Sequence, residues 1–159
     1  MWQRVQTIFL ALISISMIVF LFVPIWQEVS TDGEIITLTA FSLKMHTTEG
    51  VMISTTGFPY FFVGVAAILV ALVAIYEIIR FDNRLTQLKL GALNSLLMAV
   101  VLLLAVWFMI EAEKDINPAM QGSYQLGLFL PMLAMLFNVF ANRFIRKDER
   151  LVRSVDRIR

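Results

Sequence analysis

The stretch FPYFFVGVAAILVALVAIYEII, residues 58–79, decides the class of this protein. It contains a single charged residue, Glu77, which lies near its end. A hydrocarbon core about 30 Å thick requires a helix of about 20 predominantly apolar residues. Residues 58–79 meet that requirement, and we therefore predict a transmembrane helix here.

Three other apolar stretches have a similar length and carry no charge in their central turns, at residues 7–25, 90–110 and 124–141. The chain has 159 residues, of which 59% are hydrophobic, compared with roughly 45–50% in soluble domains. The first stretch is longer than the apolar region of about 7–15 residues in a signal peptide, and no small-residue cleavage site follows it. We predict an all-α membrane protein, a four-transmembrane-helix bundle forming a single domain over residues 1–159.

Lysine and arginine are distributed unequally between the two sides of this predicted bundle. Only Lys44 and Lys114 fall on one side. The other side holds eleven basic residues: Arg4, Arg80, Arg84, Lys89, Arg143, Arg146, Lys147, Arg150, Arg153, Arg157 and Arg159. Cytoplasmic loops of membrane proteins carry such an excess. The sequence therefore predicts a multi-pass membrane protein with both termini in the cytoplasm.

The first outer loop, residues 26–57, is too long for a simple connection. Asp32-Gly33 is typical of a two-residue type I′ hairpin turn, and the residues that follow are rich in β-branched and aromatic side chains. We predict a small antiparallel sheet with strands at residues 26–31, 34–43 and 51–55. His46 is the single histidine. We interpret it as a solvated loop residue, although a metal site shared with Glu49 is an alternative.

Helices in lipid pack through small residues spaced three or four apart. Each predicted helix carries such a stripe. The stripes are Thr7, Ala11, Ser14 and Ile18; Gly64, Ala67, Ala71 and Ala74; Gly91, Ser95, Met98 or Ala99, and Leu102; and Gly127, Pro131, Ala134, Asn138 and Ala141.

Three polar residues are predicted to form a buried layer near the cytoplasmic ends of the helices: Glu77, Asn94 and Asn138. An ionisable residue inside a membrane is a candidate for ion or proton binding. The alternative is a structural role, in which Glu77 pairs with Arg80 or Arg84 and the asparagines bridge helices. We favour the structural role, because no other ionisable residue lies deeper in the predicted helices.

The last segment, residues 143–159, is predicted to continue the fourth helix as a basic amphipathic helix. Its candidate docking residues for anionic lipid or for a partner protein are Arg146, Lys147, Arg150, Arg153 and Arg157. Each basic residue near an anionic surface contributes about 1 kcal/mol of attraction. A purely topogenic and solvating tail is the alternative.

The chain has no cysteine, which excludes disulfides, thiolate metal sites and cysteine nucleophiles. No cluster of histidine, aspartate and glutamate indicates catalysis. We therefore predict that the protein is not an enzyme and has no catalytic, cofactor-binding or metal-binding residues.

Three segments together resemble a known family. They are MWQRVQT at residues 1–7, FDNRLTQLKL at residues 81–90 with Asn94 beyond it, and IRKDERLVRSVDRIR at residues 145–159. They resemble a domain-of-unknown-function family of four-span inner-membrane proteins of Bacteroidota. This resemblance covers nearly the whole chain, and it implies a bacterial inner-membrane location but no activity.

The expected function is that of an interaction or assembly component of a membrane complex. A small transporter or channel subunit is the alternative. The expected partners are membrane lipid and another membrane protein, and the net charge of +1 gives no reason to expect nucleic acid.

Overall fold

The structure, a computed structural model, describes residues 5–30, 33–80, 83–116 and 122–156, of which residues 115–116 and 151–156 are described by their backbone alone. Within these ranges lie four helices and five strands. The elements are α1 Val5–Phe20, β1 Trp26–Val29, β2 Glu34–Leu38, β3 Leu43–Thr47, β4 Met52–Thr56, α2 Phe61–Ile79, α3 Arg84–Ile116, β5 Ser123–Tyr124 and α4 Leu126–Asp156.

The five strands form one antiparallel sheet in the order β4-β3-β2-β1-β5. Strands β1 to β4 come from the connection between α1 and α2, and β5 comes from the connection between α3 and α4. The prediction of an all-α fold is therefore wrong, because a sizeable sheet accompanies the helices.

The sheet gains a strand because the predicted strand at residues 34–43 is divided by a turn. The Thr39 hydroxyl donates to the Ser42 carbonyl at 2.8 Å, and the Ser42 amide donates back to the Thr39 hydroxyl at 3.2 Å. Such side-chain hydrogen bonds replace strand pairing. Residues 43–47 then run back as β3, which places His46 opposite Ile35 in the sheet rather than in a loop.

The turn between β1 and β2 is one residue longer than predicted. The Ser30 amide donates to the Glu34 carbonyl at 2.7 Å, and the Gly33 amide donates to the Ser30 carbonyl at 3.0 Å. Three residues therefore separate Ser30 from Glu34, the pair that closes the turn. Gly33 has a φ of +78°, as predicted for the glycine of this turn, whereas Asp32 lies outside the described residues.

Each helix packs against two others, because α2 and α4 both contact α1 and α3. Helices α1 and α4 are antiparallel. Phe9 stacks on Phe144 with 5.7 Å between ring centroids, and the Gly127 amide donates to the Pro24 carbonyl at 3.0 Å. The sheet therefore lies where α2 and α4 begin, which we call the sheet end.

The opposite end of the helices, where α2 ends and α3 begins, we call the basic end. The basic side chains described there are Arg80, Arg84, Lys89, Arg143, Arg146, Lys147 and Arg150.

Three of the described helices are long and apolar enough to cross a membrane: Phe61–Ile79, Arg84–Lys114 and Leu126–Arg150. Helix α1 has 16 residues, which extend about 24 Å at 1.5 Å per residue, less than the membrane core of about 30 Å. The prediction of four membrane-spanning helices is therefore wrong. The physical reason is Pro24, because the residue before a proline avoids the helical conformation. The chain leaves α1 at Phe20 and enters the sheet, where the Ile25 amide donates to the Leu38 carbonyl at 2.8 Å.

The predicted packing stripes of α2 and α4 are confirmed, because every residue named for them is buried. Of the stripe predicted for α1, only Ser14 is buried. Thr7 and Ala11 are only half-buried and Ile18 is exposed, whereas Leu10, Ile13 and Met17 form the buried face. Helix α4 continues without interruption to Asp156, so the predicted tail helix is part of α4, and residues 157–159 lie outside the described residues.

Candidate functional site

Five polar residues near the basic end form what we call the polar cluster: Glu77, Gln87, Asn94, Asn138 and Asn142. Glu77, Asn94 and Asn138, which were predicted to form a buried layer, have exposed fractions of 0%. Gln87 is also fully buried, and Asn142 is half-buried. The cluster takes one residue from α2, two from α3 and two from α4.

Side-chain hydrogen bonds link α3 to both α2 and α4. The Gln87 side-chain amide donates to the backbone carbonyl of Glu77 at 3.0 Å. The Asn138 amide donates to the carbonyl of Gly91 at 2.8 Å and to the hydroxyl of Ser95 at 2.6 Å. Residues 87–95 extend about 12 Å along α3, so the cluster occupies little more than two helical turns.

Gly91 allows α4 to approach α3 closely. A Cβ atom at this position would overlap the Asn142 side-chain oxygen. Asn138 and Asn142 are one helical turn apart and therefore share a face of α4. Both side chains lie against the same short segment of α3.

All six side-chain oxygen atoms of the polar cluster lack a hydrogen-bond partner among the described residues. These atoms are both carboxylate oxygens of Glu77 and the side-chain oxygens of Gln87, Asn94, Asn138 and Asn142. The Asn94 side-chain nitrogen also has no such partner. Because buried polar atoms in proteins are nearly always hydrogen-bonded, this accumulation of unpaired acceptors distinguishes the cluster from ordinary helix packing.

The hydrogen bonds expected for a structural role of Glu77 are absent among the described residues. Arg84 donates to the backbone carbonyl of Asp148. The Arg80 Nε donates to the hydroxyl of Tyr76 at 2.9 Å. Asn94 and Asn138 do not donate to the Glu77 carboxylate either.

Gln87 was missed because α3 begins six residues before the predicted span. The Thr86 amide donates to the side-chain oxygen of Asn83 at 3.1 Å, which is the hydrogen bond of a helix N-cap. Asn83 was therefore a sequence signal for an earlier helix start, and it would have placed Gln87 on the same helix face as Asn94.

A second buried carboxylate, Glu28, lies in β1 and has an exposed fraction of 3%. Neither of its oxygens has a hydrogen-bond partner among the described residues. Burial, and secondarily the nearby carboxylate of Glu113, raises the pKa of Glu28. Glu28 was not predicted to be buried, because it falls within the first outer loop at residues 26–57. The alternation of β1, in which Trp26 and Glu28 share the buried face, is the signal that could have revealed it.

Two of the candidate docking residues, Arg146 and Arg150, line a cavity of about 240 Å³ together with Leu85 and Glu149. Lys147 is exposed. The side chain of Arg153 and the whole of Arg157 lie outside the described residues. Of the candidate docking residues whose side chains the structure describes, Arg146 and Arg150 share a cavity.

A family model described as "Domain of unknown function (DUF4293)" matches residues 2–158, which is nearly the whole chain. No curated protein matches. The predicted resemblance to a family of unknown function is thus confirmed at that level.

Proposed function

The chain belongs to the DUF4293 family, and from that premise we propose that it is a bacterial inner-membrane protein that acts as an interaction component of a membrane complex. Its three long apolar helices support the membrane location. The observation that carries the interaction role is the open edge of the sheet at β4.

Strand β4 is the last strand of the sheet on its side, and all five of its residues are exposed. Residues 51–56, VMISTT, contain neither a charge nor a proline. Natural sheets usually protect an edge strand with lysine, proline or a bulge. Here an irregularity in pairing lies at Ile53, and it is the single such protection on β4. Val51, Met52 and Ile53 are large apolar residues that remain exposed.

The partner that fits this edge is an extended segment of a second membrane protein, added to the sheet beside β4. In strand addition, backbone hydrogen bonds supply affinity and the alternate side chains supply specificity. The opposite edge, β5, has only two residues and offers little backbone for pairing.

The position of β4 favours a partner that is itself anchored in the membrane. The strand leads into α2 through Phe58, and the rings of Phe58, Phe61 and Phe62 contact one another with centroids 4.3–6.2 Å apart. All three rings are exposed. The membrane-length helix α2 begins at Phe61, only five residues after the end of β4, so the open edge lies close to the membrane surface.

We assign the basic end to the cytoplasm and the sheet end to the opposite side. Seven described basic side chains lie at the basic end, whereas Lys44 and Lys114 lie at the sheet end. This distribution follows the positive-inside rule. Because α4 ends at the basic end, residue 156 belongs to the cytoplasmic side in this proposal.

Site-specific photo-cross-linking in the native host tests the interaction role. A benzophenone amino acid at Thr55, on the open edge, should give one discrete adduct with a membrane protein. The same group at Glu49, an exposed turn residue, should not give that adduct. In chains that carry the cross-linker at Ser54, Thr55→Lys should abolish the adduct, because lysine blocks edge pairing, and the matched Thr55→Val change should preserve it. Adducts that do not differ between the edge and the turn would contradict the proposal.

A further inference from the structure

The polar cluster lies at the other end of the molecule from the open sheet edge and has no part in the proposed interaction. We propose that it binds a small monovalent cation, for which Na⁺ is the probe, through the carboxylate of Glu77 and neighbouring amide oxygens.

The first argument is the kind of atom that remains unpaired. Among the described residues, the unpaired side-chain atoms of the cluster are six oxygens, two of them on Glu77, and one nitrogen, on Asn94. Exchanging the oxygen and nitrogen of Asn94, which cannot be distinguished by shape, leaves the same totals. A buried carboxylate without a compensating partner is strongly unfavourable. The group that satisfies this site must therefore be a donor or a cation.

The second argument is depth. The hydrogen bond from Gln87 to the Glu77 carbonyl aligns the end of α2 with the start of α3. The two hydrogen bonds from Asn138 align α4 with Gly91 and Ser95 of α3. Because antiparallel helices advance equally per residue, the polar side chains of all three helices lie within the same two turns. Gln6 of α1 is also buried. It lies about one turn before Phe9, whose ring stacks on Phe144 of α4.

The third argument is the chemistry of the cluster. Its available ligands are oxygens of one carboxylate and several amides, without sulfur or imidazole. Oxygen ligands of this type select hard cations. One carboxylate balances one positive charge, so a monovalent cation leaves the buried site neutral, whereas a divalent cation would leave a net charge inside the helices.

The cluster is placed for binding from one side of the membrane. Glu77 lies three residues before Arg80, the C-cap of α2, so about one helical turn separates it from the basic end. Between the cluster and Glu111, no residue of α3 is ionisable. A line of ionisable residues that reaches the sheet end is therefore not present along this helix.

Thermal unfolding of the purified full-length protein in detergent tests the site. The unfolding temperature of the wild-type protein should rise in a saturable way with NaCl relative to choline chloride at equal ionic strength, because a ligand that binds only the folded state stabilises it. Glu77→Gln, which keeps the shape and removes the charge, should abolish the sodium-specific rise. Ser14→Ala is the matched control, because Ser14 is buried in α1 and donates to the Leu10 carbonyl of its own helix. This control should retain the rise.

Binding of radioactive ²²Na⁺ to the wild-type protein at equilibrium gives a second measurement that requires no variant. About one displaceable sodium ion per chain supports the proposal. Binding that excess unlabelled NaCl does not displace would overturn it. Unfolding temperatures that vary with pH but are equal in NaCl and choline chloride would also overturn it, because a proton alone would then satisfy Glu77.

Discussion

Gly33 has a φ of +78° in the turn between β1 and β2, and an added Cβ would meet nothing within 4 Å. The backbone conformation therefore limits which residues fit at position 33, whereas neighbouring atoms do not. A left-handed conformation costs an ordinary L-residue roughly 1–2 kcal/mol, and β-branched residues resist it most. We expect Gly33→Val to lower the free energy of unfolding by about that amount.

Chemical unfolding in detergent would measure this effect. Gly33→Asn is the matched control, because asparagine tolerates positive φ better than other non-glycine residues, and it should lose less stability than the valine variant. Equal stability of the wild-type and valine proteins would show that the turn does not need the left-handed conformation.

Glu28 makes stability depend on pH. Its pKa is raised in the folded protein, so the folded state binds more protons than the unfolded state once the pH exceeds the ordinary range of a glutamate. Stability therefore falls as pH rises through the interval between the unfolded and folded pKa values. Glu28→Gln removes this loss and should raise the unfolding temperature at pH 7.

The benefit of Glu28→Gln should shrink as the pH is lowered below the ordinary glutamate pKa, where Glu28 is protonated in both states. Glu49→Gln, in an exposed turn, removes the same charge without burial and should leave the unfolding temperature unchanged. If Glu28→Gln were instead less stable than wild type at pH 7, the charge of Glu28 would have to be stabilised by an interaction in the folded protein.

At the scale of elements, apolar length was enough to locate α2, α3 and α4, because a membrane-sized run of apolar residues has few alternatives. The ends were harder to predict. Helix α1 ends at Phe20, ahead of Pro24, although apolarity continues past the proline. The turn at residues 39–42 contains no glycine, proline, asparagine or aspartate, and only hydrogen bonds between Thr39 and Ser42 reveal it.

Helix α4 extends past the basic end of the other helices. The stacking of Phe9 on Phe144 and the hydrogen bond from Arg84 to the Asp148 carbonyl hold it as far as residue 148. We predict that the part beyond docks on anionic lipid. An environment-sensitive dye on Ser154→Cys should report a less polar environment in nanodiscs containing phosphatidylglycerol than in neutral ones. This difference should vanish at 1 M salt, where the Debye length falls from about 8 Å to about 3 Å.

Docking on a protein partner through the apolar face would instead resist salt and fail on Val152→Asp. Deleting residues 151–159 leaves the Phe9–Phe144 and Arg84–Asp148 contacts in place, so the shortened protein should insert and fold. We expect the shortened protein to lose its partner and to support the growth of its host less well than the full-length protein. Normal partner retention and normal host growth after this deletion would show that the tail serves only topology.

At the scale of the whole molecule, the sequence placed Glu77, Asn94 and Asn138 near one end because each interrupts an apolar run. The number of their side-chain atoms that lack a hydrogen-bond partner could not be predicted from the sequence. It depends on Gln87 joining the helix, on the close approach of Asn142 to Gly91, and on Arg84 turning to Asp148 instead of Glu77. Those are relations between helices, which a linear pattern does not contain.

The orientation of the whole molecule is a prediction that cysteine labelling can decide, because the chain has no cysteine of its own. Glu49→Cys places a thiol in an exposed turn at the sheet end, and Ser154→Cys places one in α4 beyond the basic end. If the basic end faces the cytoplasm, a membrane-impermeant maleimide added to cells with a permeabilised outer membrane should label position 49 alone. Position 154 should react only after lysis. Leu103→Cys, on an exposed face in the middle of α3, should resist the reagent from both sides, because it lies within the apolar part of a membrane-length helix. Labelling of both positions 49 and 154 in unlysed cells would place both ends of the molecule outside the cytoplasm and would overturn the assignment made from the basic residues.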